Sequence, residues 1–421
     1  MKARILLILK LALRNVRRQM RRSVLTAMAM VMGLALMVFS RAMATGGHED
    51  WIDAGVRLGS GHLTVEHVDY RRSRRLEDRI PGSVVADVTS ALEDPSVASL
   101  VVGVVPRLEA SGLAGSANSY APVRVSGVDA EMEAVLSPLP EKVVEGRYLE
   151  PGDRLHAFIG SGLSERLNIG VGRRLVLTGQ DANGEISGQL VRVVGIFTTG
   201  IPEVDEGLVH IPRATAAAWL GVGDDVTGVA VLLESSRSVV EVKGLLDGKV
   251  DPASVAVLRW QETMPELDAA VRLDDWGDYI FNGILLAIVA LAIVNTVLMS
   301  VLYRTREFGV MRALGMTGRD TGFVVFAEGL LLTAISGFVG MVLGMGVTWL
   351  FFRNGLDFSF AMEEGMSMSG VLIEPIIYPE IRFSHVVRSA IYVTIIGTFS
   401  SFYPAYHATE LDVAEAIKVD A

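Results

Sequence analysis

Residues 295–315 read NTVLMSVLYRTREFGVMRALG. The first part closes an apolar run. The second part is short, basic and amphipathic, and it stops at Gly315. Another apolar run begins at Gly322, so the segment is held between two helices long and apolar enough to cross a membrane. This predicts a tight turn at the membrane face that presents Arg304, Arg306, Glu307 and Arg312. Arg306 and Glu307 can cap helix ends or meet charges on a partner, and Gly315 can supply the positive φ that ends a helix. A plain positive-inside loop is the alternative reading of the same charges.

Outward from this turn, the chain divides by composition. Half of its 421 residues are apolar and a fifth are charged, too apolar for an ordinary soluble protein and too charged in the middle for an all-membrane one. Cysteine is absent, which excludes a disulfide framework and a thiolate metal site. The net charge of −10 argues against nucleic acid as a partner. The charge is also segregated. Residues 1–22 carry eight lysines and arginines, from Lys2 to Arg22, and no acid, whereas the acids concentrate between Glu49 and Asp278.

Residues 1–22 read as a basic amphipathic helix on the cytoplasmic membrane surface: Ile5, Leu9, Leu13, Val16 and Met20 recur at helical spacing, with the cations on another arc. A nucleic-acid-binding arm is the rival reading. Residues 23–45 form the first span, with Arg41 placed to snorkel outward. A signal peptide ending at Ala42-Met43-Ala44 is the alternative; the long basic start and the position of Arg41 argue against it. Residues 46–277 form an extracytoplasmic α+β block. Strand-like runs at 62–65, 100–106, 123–127, 175–178, 190–197 and 229–233 alternate with helical patterns at 84–92 and 213–220. Residues 146–211 are read as an inserted module within an outer module of 46–140 plus 212–277. The second, third and fourth spans follow at 280–303, 322–352 and 386–406. The segment 304–321 lies between the second and third, and an external loop at 353–385 between the third and fourth. The tail is 407–421. Gly340 and Gly344 stand in small-xxx-small register in the third span, and Glu328 lies near its cytoplasmic end. The N-terminal segment and the 303–319 loop are Arg-rich, so both read as cytoplasmic; four spans then put the large block outside and the C-terminal tail inside.

The wording of residues 295–315 closely resembles the cytoplasmic loop of ABC transporter permeases of the MacB/FtsX/Lol superfamily. So does the order of the chain: one span, a large external domain, three spans. The tail, with Tyr403-Pro404-Ala405, Ala408, Leu411-Asp412 and Glu415-Ala416, is similar to that family's closing motif, with Val413 in place of its usual proline and Ile417 in place of its leucine. Residues 175–212, and Glu203-Val204-Asp205 within them, resemble the lipoprotein-releasing LolC/LolE-type members. The resemblance implies four transmembrane helices with a Porter/Sabre-like α+β domain between the first and second. It also implies a non-catalytic subunit of a mechanotransmitting (type VII) transporter. In it Arg304, Arg306, Glu307, Arg312 and Gly315 couple to two copies of an ABC ATPase, which bind the ATP and magnesium. A second permease chain, identical or related, and a periplasmic lipoprotein carrier are the further partners. The turn at 179–189 departs from the carrier-recruiting hairpin, because it is short and lacks proline.

Catalytic signatures are missing. No GxxxxGK[ST] loop occurs; residues 244–249 have glycine and lysine at the wrong spacing. No GxSxG or HExxH is present. His62 and His67 read as packing or surface residues. Met362, Met366 and Met368 could hold Cu(I), yet methionine is abundant throughout, at 17 residues. The first and second spans carry no charge over 24–39 and 284–301. An apolar, adaptable cavity between them, lined by Met28, Met32, Met37, Asn295 and Leu298, with Met30 and Met299 nearby, suits acyl chains. Lipoprotein release is therefore the leading reading. MacB-like drug or peptide efflux and FtsX-like signalling to cell-wall hydrolases are the alternatives.

Overall fold

The computed structural model describes residues 20–360, 367–368, 371–372 and 375–410. The basic segment 1–19, Met362, Met366 and the tail motif from residue 411 lie outside the described residues. Two compact units emerge. One gathers residues 1–47, 273–357 and 376–421. The other holds residues 48–272 and 358–375.

Among the described residues, four helices are long and apolar enough to cross a membrane: Ala27–Leu58, Pro265–Tyr303, Gly318–Phe352 and Phe383–Thr409. The first belongs to a helix running Met20–Leu58, past the apolar core and through residues 46–58. Ile52 and Val56 near its end are buried in the core of the second unit, which gives those turns a reason to stay helical. The second helix starts at Pro265, well before the apolar run at residue 280, with Leu267 buried in that same core.

The spanning unit packs through small residues. A Cβ added to Gly344 would lie 2.9 Å from Ala35 Cα, and one on Gly340 would lie 2.8 Å from Leu34 Cβ. The third helix therefore meets the first backbone to backbone, along the register that the sequence offers. Gly329 and Gly397 serve the contact with the fourth helix in the same way, against Ser401 and Thr333. Around these contacts Met30, Ile293, Val297, Val301, Phe308 and Val325 are buried together.

The second unit is built on one ten-stranded sheet. Its strands are β1 (Leu63–His67), β2 (Val101–Gly115), β3 (Tyr120–Val128), β4 (Val143–Gly146), β5 (His156–Gly160), β6 (Arg174–Gln180), β7 (Ile186–Phe197), β8 (Leu208–Pro212), β9 (Gly228–Leu233) and β10 (Val255–Arg259). The order is β10-β1-β9-β2-β3-β8-β5-β7-β4, with β6 pairing with β2 and β7. Pairing is antiparallel except for β3 with β8 and β5 with β7. Every strand-like run read from sequence lies in or overlaps one of these strands, and both helical patterns are helices, Gly82–Leu92 and Arg213–Leu220. Three apolar clusters share the sheet, the smallest around Phe158, Phe197 and Leu208. Of the two larger, one, around Val65, Ile80, Val229 and Leu246, draws on residues near both ends of the unit. The other, around Leu108, Leu163, Leu177 and Ile211, draws on its middle. The long strand β2 contributes to both of these.

Candidate functional site

The second spanning helix stops at Tyr303, and a separate helix, Thr305–Ala313, fills the turn. Its end is set by Gly315 at φ +103°, where the Gly315 N–H donates to Arg312 O at 3.0 Å and the Met316 N–H donates to Met311 O at 3.1 Å. Thr317 then caps the third spanning helix. Its hydroxyl accepts from the Asp320 N–H, and Asp320 returns a bond to the Thr317 N–H.

The charged residues predicted to act together here divide. Arg304 faces inward and is buried. Its Nε donates to Glu307 at 2.9 Å, its Nη1 donates to Glu328 at 3.3 Å, and its guanidinium lies 5.0 Å from the centre of the Phe308 ring. Ser300 Oγ donates to the other oxygen of Glu328 at 3.1 Å. Glu328 is thus the anchor that ties the short helix to the spans. Arg306 is exposed, and Arg312 is half-buried with Nη2 beside Gly318. Sequence reasoning missed the rest of the outer face. Arg306, Val310, Ala313 and Leu314, spaced at i, i+4, i+7 and i+8, are all exposed, Leu314 at 84%. An apolar stripe on a turn chosen for its charges was legible in that spacing.

The spanning-helix residues proposed to line a cavity differ in burial. Met37 is buried and Leu298 half-buried, whereas Met28, Met32 and Asn295 are exposed on the surface of the unit. Arg41, read as snorkelling outward, instead donates to Asp278, which also accepts from Ser40 Oγ at 3.1 Å and Asn282 Nδ2 at 2.7 Å. The Arg41 guanidinium lies 5.0 Å from the Tyr279 ring centre. Thr45 and His385 meet at 3.1 Å on the same turns.

In the strand domain, β6 and β7 close through a compact turn. Asp181 Oδ1 accepts from the N–H groups of Asn183 and Glu185, and Gly184 takes φ +82°. Asp205 of Glu203-Val204-Asp205 is buried and accepts from the hydroxyls of Thr198 and Thr199 and from the backbone of Thr199 and Gly200. It fixes the turn that precedes β8. His67, Asp69 and Asp78 bring ligand atoms within 4.8 Å of one another. The Asp69 N–H donates to His67 Nδ1 and the Ser73 hydroxyl to Asp78 Oδ2, so two of the atoms in this group already take part in local turns.

Comparison with known proteins places this geometry. The MacB-like periplasmic core domain matches residues 23–248, more than half of the chain, and the FtsX-like permease C-terminal domain matches residues 279–413. The lipoprotein-releasing system transmembrane protein LolC of Xylella fastidiosa is 22% identical over 94% of this chain and 94% of its own. The macrolide export ATP-binding/permease protein MacB of Brucella melitensis is 25% identical over 84% of this chain, which spans 54% of that protein. The periplasmic region of MacB from Actinobacillus actinomycetemcomitans aligns at 15% identity and a TM-score of 0.36, over 52% of this chain and 94% of that one. Four apolar helices and these relatives mark a multi-pass protein of the inner membrane. The chain belongs to the MacB/FtsX family of ABC transporter permeases.

Proposed function

We propose that this chain is the membrane subunit of a mechanotransmitting ABC transporter that extracts lipoproteins from the inner membrane. A partner ATPase, present in two copies, binds ATP and magnesium, because the chain carries no phosphate-binding loop of its own. A second permease chain, a copy or a relative, completes the assembly. Both termini lie in the cytoplasm and residues 46–277 lie in the periplasm, with residues 146–211 as an inserted module.

The helix Thr305–Ala313 docks on the ATPase. Its outer stripe, Arg306, Val310 and Leu314, supplies an apolar contact flanked by a cation. Arg304, Glu307 and Glu328 hold its base to the spans, and Arg312 and Gly315 set where it ends. When the ATPases close on ATP, the helix moves with them and the spans follow. Met28, Met32 and Asn295 face outward from the spanning unit, where they meet acyl chains or the second permease. Met37 and Leu298 support that surface from behind. Acyl transfer onto such a face is worth about 0.8 kcal/mol per buried methylene, whereas a polar peptide would leave amides unpaired there.

The observation that carries the lipoprotein reading is the similarity to a lipoprotein-releasing permease along nearly the whole of both chains. The short β6–β7 turn leaves the recruitment of a periplasmic carrier to the other permease. Export of a soluble compound is the second reading, favoured by the match to the MacB-like core domain. Crosslinkers placed at Met32 and Asn295 should capture an acylated protein, and depletion of the chain should leave lipoproteins in the inner membrane. Capture of a soluble drug with lipoprotein sorting intact would replace this reading with export, and a cell-wall hydrolase phenotype without any transported ligand would replace it with signalling. A reporter inserted at Gly184 should be periplasmic and one after Ala421 cytoplasmic; a cytoplasmic signal at Gly184 overturns the orientation.

A further inference from the structure

One face of the large sheet is polar where a core would ordinarily be apolar. Register aligns Glu66 of β1 with Gly228 of β9, and Gly228 with Arg107 of β2. Two residues along β2, Glu109 faces Ser126 of β3, and Ser126 faces His210 of β8. Because side chains alternate along a strand, these residues share one face across five adjacent strands, and Arg124 joins them two positions from Ser126. The opposite face of the same strands carries Val65, Val229, Leu108, Val125 and Val209, all buried. Thr64, Glu66, Arg107, Ser126 and His210 are buried as well, which is costly for polar groups unless they are matched.

Most of the strip is matched internally. Arg71 holds Glu66 through two bonds of 2.9 Å. Arg107 holds the fully buried Glu133 and donates to Gly59 O. His210 meets the Tyr148 hydroxyl at 3.4 Å. Burial and the nearby guanidiniums of Arg107 and Arg124 push the His210 pKa down to about 3, so the ring is neutral. Three charges are left. Half-buried Glu109 and the exposed Arg74 and Arg124 make no ion pair within 4.0 Å among the described residues. All three line one open cleft of about 140 Å³, floored by Gly228 and Ala230 and walled by Tyr70 and Arg71. Glu109 and Arg124 are diagonal neighbours on β2 and β3, about 7–8 Å apart in backbone, so a carboxylate and a guanidinium border the same cleft side by side.

We propose that this cleft binds a small zwitterion, with its ammonium on Glu109 and its phosphate or carboxylate between Arg124 and Arg74. A few convergent polar groups on a rigid sheet are what fixes a small ligand. Arginine forks match an oxyanion, and the carboxylate selects an amine beside it. Phosphoethanolamine-type headgroups and free amino acids share this chemistry.

Titration of the detergent-solubilised full chain with glycerophosphoethanolamine tests the site. Binding is expected, with glycerophosphate, which lacks the amine, at least tenfold weaker. Arg124→Gln should weaken the zwitterion at least tenfold. Glu109→Gln should make the two ligands equal. Arg72→Gln, an exposed arginine outside the cleft, should change neither. Displacement by phosphatidylethanolamine in mixed micelles identifies a lipid headgroup as the source, and displacement by free alanine identifies a solute; either result supports the site. No binding at millimolar concentration, glycerophosphate bound as tightly as the zwitterion, or affinities unmoved by Arg124→Gln and Glu109→Gln overturn the proposal.

Discussion

In the spanning unit, Arg304 reaches Glu328 and Arg41 reaches Asp278, and each carboxylate takes a second donor, Ser300 or Asn282. In the strand domain, Glu66 and Glu133 are held by arginines too, yet Glu109, Arg74 and Arg124 around the same cleft are left without an ion pair. The difference follows from the surroundings. Between helices no water answers an unpaired charge, so each buried one must be matched inside the protein. At the sheet face, charges open to water can wait for a ligand. The short helix Thr305–Ala313 adds a third arrangement. Its best-placed arginine points inward while Val310 and Leu314 point outward, the reverse of an ordinary surface helix. A charge already paired holds the fold, and an unpaired charge or an exposed apolar stripe is what remains for a partner.

The largest effect should come from breaking a matched pair between helices. Arg304→Met removes the guanidinium from Glu328, and removing one partner of a buried pair costs about 3–5 kcal/mol. Thermal unfolding in detergent should show the loss, and Arg304→Met combined with Glu328→Met should recover much of it. A double variant no better than the single one would remove Glu328 as the anchor.

The next effect is a pH dependence centred on His210. In the unfolded chain the imidazole titrates near its ordinary value of about 6.5, whereas in the fold it stays neutral down to about 3. Between these values the unfolded chain binds the extra proton. His210 therefore costs nothing above about pH 6.5, and stability is lost as pH falls from there towards 3. One pK unit is worth about 1.4 kcal/mol, so a difference of about 3.5 makes the swing of order 5 kcal/mol. His210→Gln should flatten acid unfolding of the strand domain in this window; an unchanged slope would assign acid sensitivity to the carboxylates instead.

Smaller again is the cost of filling the glycine seam. Gly344→Leu drives a side chain into Ala35 and Val38, at about 1–3 kcal/mol. Gly346→Leu, at a position with open space, should be near neutral. Equal losses at both would mean that the third and first helices are not in this register.

Much of the fold was legible because it rests on periodicity. Apolar runs of membrane length gave the spans, alternation gave the strands, and Gly315 gave the helix stop at φ +103°. The candidate site was legible only by residue type. Nothing in YRTREFG says that Arg304 turns inward to Glu328, because that partner comes from another helix. The partner of Arg41 was hidden for the same reason, its carboxylate lying far along the chain at Asp278. The polar strip was invisible for a related one. Glu66, Arg107, Glu109, Arg124 and His210 come from four separate strands, and only register sets them on one face.

The central claim is that the outward face of Thr305–Ala313, rather than its inward arginine, docks the ATPase. The direct measurement is the affinity of the purified permease for its ATPase, read alongside the permease's thermal midpoint. Val310→Glu with Leu314→Glu should weaken association by about tenfold or more, at least 1.4 kcal/mol, with the midpoint unchanged because both side chains are exposed. Arg312→Glu, at a half-buried position near the helix end, should weaken it less. Unaltered affinity in the Val310→Glu, Leu314→Glu variant, with the permease folded, would contradict the account.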